Sequence, residues 1–432
     1  MFERRRCLTA FIIILIGVLI ISVCTGVYLN TMSDHNSPEL PFLSDSDAIN
    51  YVESSKLMVL ISNKEENIFR KIQDTYGLNA TCVSDEDVSK RIADVQAACT
   101  RDQHVVAISV GNFESSDPPD MQPYTQIARD QNYIVSVVNG PENLLPDYIG
   151  WHLNEADSCM LGLCAHALLE DLLKTVPEFC SDFRNYSQGE TIPEMLKFYQ
   201  LADSNHNGML HCTAKYFGSS PDESSKEYFR EVKGNITMNF ETTVIGIVFT
   251  PRTFGARLKL SQEQLKLWGG DDDGKAKMKT VLKNEIARSN EDDRVSSLNS
   301  AMAHHSIQCD SNNLATTDSK LPMKKKSARY FPNSQASLVY LTTKSEEDPD
   351  FHPVSGRGSR AHMTLGIAPG ESAVTTGYDL LEVVKLEEEE KDWPTYPTTR
   401  GWLRDYGENR WVLYMKNKIT VETLFAGVYS VS

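Results

Sequence analysis

Two stretches of the chain alternate apolar and polar side chains with a period of two, and both carry the pattern His-x-Thr. In the first, Leu210, Cys212 and Ala214 alternate with His211, Thr213 and Lys215; in the second, Met363, Leu365 and Ile367 alternate with His362, Thr364 and Gly366. Successive side chains of a strand point to opposite faces, so each stretch predicts a strand with an apolar back and a front that bears an imidazole and a hydroxyl. Earlier, Leu57–Ile61, His104–Val110 and Tyr133–Val138 are aliphatic runs of strand length, while Glu65–Tyr76 and Asp85–Ala98 have helical patterning. Strands alternating with helices predict a small α/β domain with a parallel sheet. Near the end, Thr376–Glu390 predicts a helix with Leu380, Leu381, Val384 and Leu386 on its apolar side. Trp411–Met415 and Ile419–Tyr429 predict a hairpin turning at Lys416-Asn417-Lys418.

The longest apolar run lies at the start. No charged residue occurs from Cys7 to Ser33, and a helix over this stretch is long enough to cross ~30 Å of hydrocarbon. Arg4, Arg5 and Arg6 precede it, and Asp34, Glu39, Asp45 and Asp47 follow it. The asymmetry predicts an uncleaved signal-anchor over residues 1–33, held in the membrane through residues 7–29, with a cytosolic tip and a luminal or extracellular body. Two alternatives stay open: a cleaved signal peptide, for which Ser22-Val23-Cys24-Thr25-Gly26 supplies small residues, and a body facing the cytosol. Sequons at Asn79, Asn185 and Asn235 agree with a luminal glycoprotein. Residues 34–47, rich in Ser, Asp, Asn and Pro, read as a linker.

Composition narrows the partners. With 432 residues, 41% of them hydrophobic, the chain can bury two globular cores. A formal charge of -16 argues against a nucleic-acid duplex or an anionic membrane face as main partner, yet allows a small nucleotide in a local basic pocket. The cysteines beyond the apolar start (Cys82, Cys99, Cys159, Cys164, Cys180, Cys212, Cys309) are odd in number, and Cys212, on the back of its strand, is the natural unpaired one. No Cys-x-x-Cys pair points to zinc or redox chemistry, and His304, His305 and Cys309 stand in a polar segment that reads as solvated loop. Asp203-Ser204-Asn205-His206-Asn207-Gly208 matches the opening of a calcium-binding loop, but Ala214 stands where the bidentate Glu belongs, so a turn is predicted. Residues 270–356 are polar, contain Asp271-Asp272-Asp273 and Lys324-Lys325-Lys326, and predict a mostly disordered insertion with Ser337–Thr343 its one strand-like stretch.

Two imidazoles and two hydroxyls on facing strands suit acid–base chemistry on a phosphodiester, where one His takes a proton and the other gives one. The flanks sharpen this. Leu210-His211-Cys212-Thr213-Ala214-Lys215-Tyr216 and Gly358-Ser359-Arg360-Ala361-His362-Met363-Thr364-Leu365-Gly366 resemble the two signature segments of the two-histidine phosphoesterases, and among these the 2',3'-cyclic nucleotide 3'-phosphodiesterase family. Val248–Ala256, Glu263–Trp268, Thr376–Leu381, Asn409–Trp411 and Phe425–Gly427 are similar to that family too, as is Tyr148–Leu153 in its preceding domain.

The resemblance implies a degenerate P-loop kinase-like parallel-sheet domain over residues 48–180 and a two-lobed antiparallel α+β phosphoesterase domain over residues 181–432, interrupted by the insertion. It implies hydrolysis of nucleoside 2',3'-cyclic phosphates, or of RNA ends carrying one, to 2'-phosphates, without metal or other cofactor. His362 is then the base and His211 the acid, although the sequence leaves the reverse order open. Thr213 and Thr364 are donors to the phosphate oxygens. Tyr216 stands in place of a base-stacking phenylalanine, and Arg360 adds positive charge. One departure matters. The turn after the first strand, Ser62-Asn63-Lys64-Glu65-Glu66-Asn67, has no glycine and sets two carboxylates where phosphate oxygens would lie, so no ATP binding is expected. The rival reading is a catalytically weak, membrane-anchored interaction protein of the same family.

Overall fold

The computed structural model describes residues 40–62, 66–113, 120–138, 140, 144–201, 209–218, 221–270, 355–389 and 391–429. The aliphatic runs of the first third become four parallel strands: β1 (Leu57–Ser62), β2 (Ala80–Val83), β3 (Val105–Gly111) and β4 (Ile134–Val138), in the order β2-β3-β1-β4. β1 is apolar on both faces because both are covered. Met58 and Leu60 pack with helices α4 (Val88–Thr100) and α5 (Gln122–Asp130). Leu57, Val59 and Ile61 pack with α1 (Pro41–Ser44), α2 (Ser46–Ser54) and α3 (Glu66–Tyr76).

Those first helices correct the linker reading for residues 40–47. Asp45 caps α2 by accepting from the amides of Asp47 and Ala48 at 3.1 and 2.9 Å, which is why a polar stretch starts a helix here. Ala48, Tyr51 and Val52 recur at helical spacing along α2 and are buried with Phe42 of α1.

Polar–apolar alternation in the rest of the chain yields one antiparallel sheet. Its strands are β5 (Tyr148–His152), β6 (Gln200–Leu201), β7 (His211–Tyr216), β8 (Asn239–Phe249), β9 (Thr253–Lys259), β10 (His362–Ile367), β11 (Thr395–Pro397), β12 (Gly401–Asp405) and β13 (Trp411–Val428). They run β11-β12-β13-β8-β9-β10-β6, with β5 pairing the last part of β13 and β7 pairing β5. Two expectations are corrected. Residues 148–180 do not extend the parallel sheet: β5, α6 (Glu155–Thr175) and α7 (Pro177–Ser187) pack into the antiparallel sheet's core, where Trp151, Leu168 and Phe179 meet Leu413 and Phe425. Nor is there a terminal hairpin. β13 continues through Lys416–Lys418, where a break in register against β8 absorbs the extra residues without a turn.

One face of this sheet covers the main core. The other is covered twice, by α8 (Val374–Glu388) over Val248, Val412 and Tyr414, and by α1, α2 and the parallel sheet over Leu424 and Ala426. Among the described residues no helix is long and apolar enough to cross a membrane, and the six described cysteines are all unpaired thiols, Cys212 among them. The expected span over residues 1–33, the rest of the linker, the turn at 63–65, the segment 203–208 and insertion residues 271–354, with His304, His305, Cys309 and Ser337–Thr343, lie outside the described residues.

Candidate active site

The front residues of β7 and β10, His211, Thr213, His362 and Thr364, are half-buried. The strands adjoin without a ladder between them, and the Cys212 thiol, on the back of β7, accepts the backbone N–H of His362. Burial pushes that thiol up to about 12.

β7 is held by β5, with His152 opposite His211, Trp151 opposite Cys212 and Gly150 opposite Thr213. The strands approach so closely that a Cβ on Gly150 would lie 2.1 Å from the Cys212 carbonyl oxygen. His211 is half-buried, hydrogen-bonded to the backbone of Met209, and stacked on Tyr148 with ring centres 4.8 Å apart. Burial pushes it down to about 4, the Met209 bond opposes this, and a charge on His362 adds to it. Thr213 stands beside it on the half-buried front. Simple alternation assigns Tyr216 to the back of β7. A register shift skips Ala214, however, and sets Tyr216 opposite Tyr148, on the front, at a rim where it is 52% exposed.

On β10, His362 Nδ1 lies 2.8 Å from the carbonyl oxygen of Arg360. A carbonyl only accepts, so Nδ1 carries the proton and Nε2 is left as acceptor. Burial lowers the basicity of His362; the Arg360 carbonyl and the Asp379 charge oppose that, whereas the Arg360 guanidinium adds to it. Thr364 Oγ1 lies 3.0 Å from the Thr376 hydroxyl and 3.2 Å from the Ala373 carbonyl. α8 reaches this close because it presents Gly377 to the ring: a Cβ there would lie 3.0 Å from His362 Cε1.

Two carboxylates fasten α8 to the sheet. Asp379 accepts from the hydroxyls of Thr250 and Thr253 at 2.5 and 2.7 Å and pairs with Arg252. Glu387 pairs with the fully buried Arg257, which stands opposite His362, and accepts from Tyr414 at 2.5 Å. Sequence reasoning missed Tyr148, His152, Gly377 and Asp379. All four lie in segments similar to the family, Tyr148–Leu153 and Thr376–Leu381, but within them Tyr148 and His152 show only as positions four apart on one strand face, and Gly377 and Asp379 only as members of a helix. Among the described residues no cluster of His, Cys, Asp and Glu is arranged to hold a metal.

One parallel and one antiparallel sheet make a mixed α/β protein in which the two His-x-Thr strands adjoin. Within that class the family is specific: the model of "2',3'-cyclic nucleotide 3'-phosphodiesterase (CNP or CNPase)" matches residues 145–288 and 304–432, and the chain belongs to this family. It is similar to the 2',3'-cyclic-nucleotide 3'-phosphodiesterases of Pongo abelii (26% identity over 293 residues), Rattus norvegicus (25% over 293) and Mus musculus (24% over 291). Each alignment covers 67% of this chain and 51% of the relative, so the chain spans about half the length of the curated relatives it matches. A fungal RNA kinase crystal structure aligns with 87% of this chain and all of its own at 10% identity and a TM-score of 0.27, a superposition too loose to carry an argument.

Proposed function

We propose that the chain hydrolyses nucleoside 2',3'-cyclic phosphates to nucleoside 2'-phosphates, with RNA ends bearing such a phosphate in the same substrate class. The observation that supports this most is the juxtaposition of His211 and Thr213 with His362 and Thr364, each histidine bonded to backbone two residues before it. In this reading His362 Nε2 takes a proton from water as the water oxygen bonds to phosphorus. The P–O3' bond breaks, and His211 gives its proton to the departing O3'. Thr213 and Thr364 donate to the non-bridging oxygens, where negative charge grows. Arg360 lends its charge, and Tyr216 at the rim stacks on the base. His211 is neutral in the empty site, so the anionic phosphate must raise its proton affinity on binding.

The test is incubation of the purified protein with 2',3'-cyclic AMP and separation of the products. 2'-AMP is expected; 3'-AMP would reverse the bond that breaks, and no product from folded protein would favour the interaction-protein reading. The Ser62–Asn67 turn supports a parallel sheet without nucleotide-triphosphate binding, so titration calorimetry with Mg-ATP should show no heat, and micromolar affinity would overturn this.

The apolar run and arginine asymmetry of the first 33 residues support a signal-anchor with a luminal or extracellular body. Asn79 and Asn185 are exposed, whereas Asn235 is half-buried with its amide donating to the Val232 carbonyl. Glycosidase treatment of protein from cells should therefore remove sugar at Asn79 or Asn185. Unshifted mobility with the C-terminus protease-accessible only after the cytosolic side is opened would place the body in the cytosol.

A further inference from the structure

This inference rests on the paired-histidine reading and adds a residue to it. His152, on β5, is 4% exposed and stands directly opposite His211, their ring centres 5.4 Å apart and their planes within 21°. Tyr148 completes a set of three nearly parallel rings, its own plane 22° from that of His211. His152 bonds the backbone of Ala426 on β13 in a way that favours a proton on the bonded nitrogen, so the Ala426 group is the carbonyl. Its Nε2 is buried and has no hydrogen-bond partner, which leaves Nδ1 as the donor to Ala426.

Strand order then sets the direction. β5 lies between β13 and β7. With Nδ1–H turned to β13, Nε2 is the end of the ring on the β7 side; the two rings are stacked, so its partial negative charge acts on His211 across the stack and not through a hydrogen bond. Buried acceptors without partners are rare in native structures, because desolvation goes uncompensated, and each calls for a reason. Burial also holds His152 neutral, so it does not compete with His211 for a proton.

We propose that His152 is a positioning residue for His211: Ala426 fixes it in the Nδ1–H tautomer, and its Nε2 lone pair favours the imidazolium form with which His211 protonates the departing oxygen. The other titratable and charged groups facing His211 are Tyr148 on β5, beside Asp147 and Arg129 of α5, and His362 with Arg360 at β10. Of these, Tyr148 is, like His152, a group kept neutral by burial, and it stacks on His211.

The test is histidine NMR on the full chain in detergent, labelled with 13C,15N-histidine and saturated with 2'-AMP. His152→Phe keeps an aromatic ring against His211 and removes both nitrogens. It should lower the titration midpoint of His211 by about half to one pH unit, because a partial negative charge has been taken from its neighbourhood. The alkaline limb of turnover on 2',3'-cyclic AMP should move down by the same amount, with kcat reduced about three- to ten-fold there and KM unchanged. An unmoved His211 midpoint would overturn the proposal. So would wild-type spectra showing the His152 proton on Nε2, a measurement that needs no variant to fold. If 2',3'-cyclic AMP is not turned over and the His211 midpoint still moves, the phosphodiesterase reading fails and the positioning role stands.

Discussion

His211 is neutral in the empty site, and burial lowers His362 as well, although the proposed chemistry needs one of them charged. Anion binding must therefore take up protons, above the His211 value of about 4 and below its raised value in the complex. Calorimetry of 2'-AMP binding near pH 6 in buffers of different ionisation enthalpy should show uptake; no buffer dependence would mean the site stays neutral when loaded. In the proposed mechanism the two histidines act as one unit, so His211→Ala and His362→Ala should each reduce turnover by ~10²–10⁴, and the double variant by much less than the product. His152 carries a stability consequence. Folding depresses it from 6.5 to about 3, so below pH 6.5 the unfolded chain binds a proton that the native chain does not. Stability from this source is intact above pH 6.5 and falls as pH drops toward 3. At pH 5 the loss is about 2 kcal/mol, and His152→Phe removes it, so urea unfolding should show the variant gaining on wild type between pH 7.5 and pH 5. The His-x-Thr fronts were legible because alternation is local. His152 was not, because its meaning depends on which strand lies across from it.

At the scale of elements, bulges decide what alternation cannot. The register shift that skips Ala214 moves Tyr216 to the front of β7, and the break after Tyr414 turns a predicted hairpin into the single strand β13. Both depend on a partner strand, so neither shows in the sequence of one strand. α1 and α2 escaped the linker reading for a different reason: Asp45, Ser46 and Asp47 look like loop residues and instead form a cap and first turn. α8 gives the sharpest test at this scale. Gly377→Ala adds a methyl 3.0 Å from His362 Cε1, while Ala is the better helix former by ~0.8–1 kcal/mol. Melting temperature should hold or rise, and turnover should fall by roughly ten- to a hundred-fold as the ring is displaced from its attack geometry. Full activity in a folded Gly377→Ala protein would mean that α8 does not set the position of His362.

On the scale of the molecule, the resemblance implies two domains; the chain has two sheets, and the packing joins them. Leu57, Val59 and Ile61 of the parallel sheet, Phe42, Tyr51 and Val52 of α1 and α2, and Leu424 and Ala426 of β13 form one buried cluster. Hydrogen bonds cross the same seam: the Tyr51 hydroxyl donates to the His152 carbonyl at 3.0 Å, and the Phe42 amide donates to the Thr237 hydroxyl at 3.3 Å. Such a seam is invisible in a single sequence, since its partners stand more than a hundred residues apart. Domains that share a core lose each other's cover when either opens, so they unfold together. Calorimetry of the described body should accordingly show one transition, not two. Tyr51→Phe, which leaves the His152 carbonyl without that donor, should lower its stability by about 1 kcal/mol without splitting it. Two resolved transitions in the wild type would mean that the parallel sheet folds independently. Its packing against β13, the strand paired with the one that carries His152, would then be a docking contact that the site does not depend on.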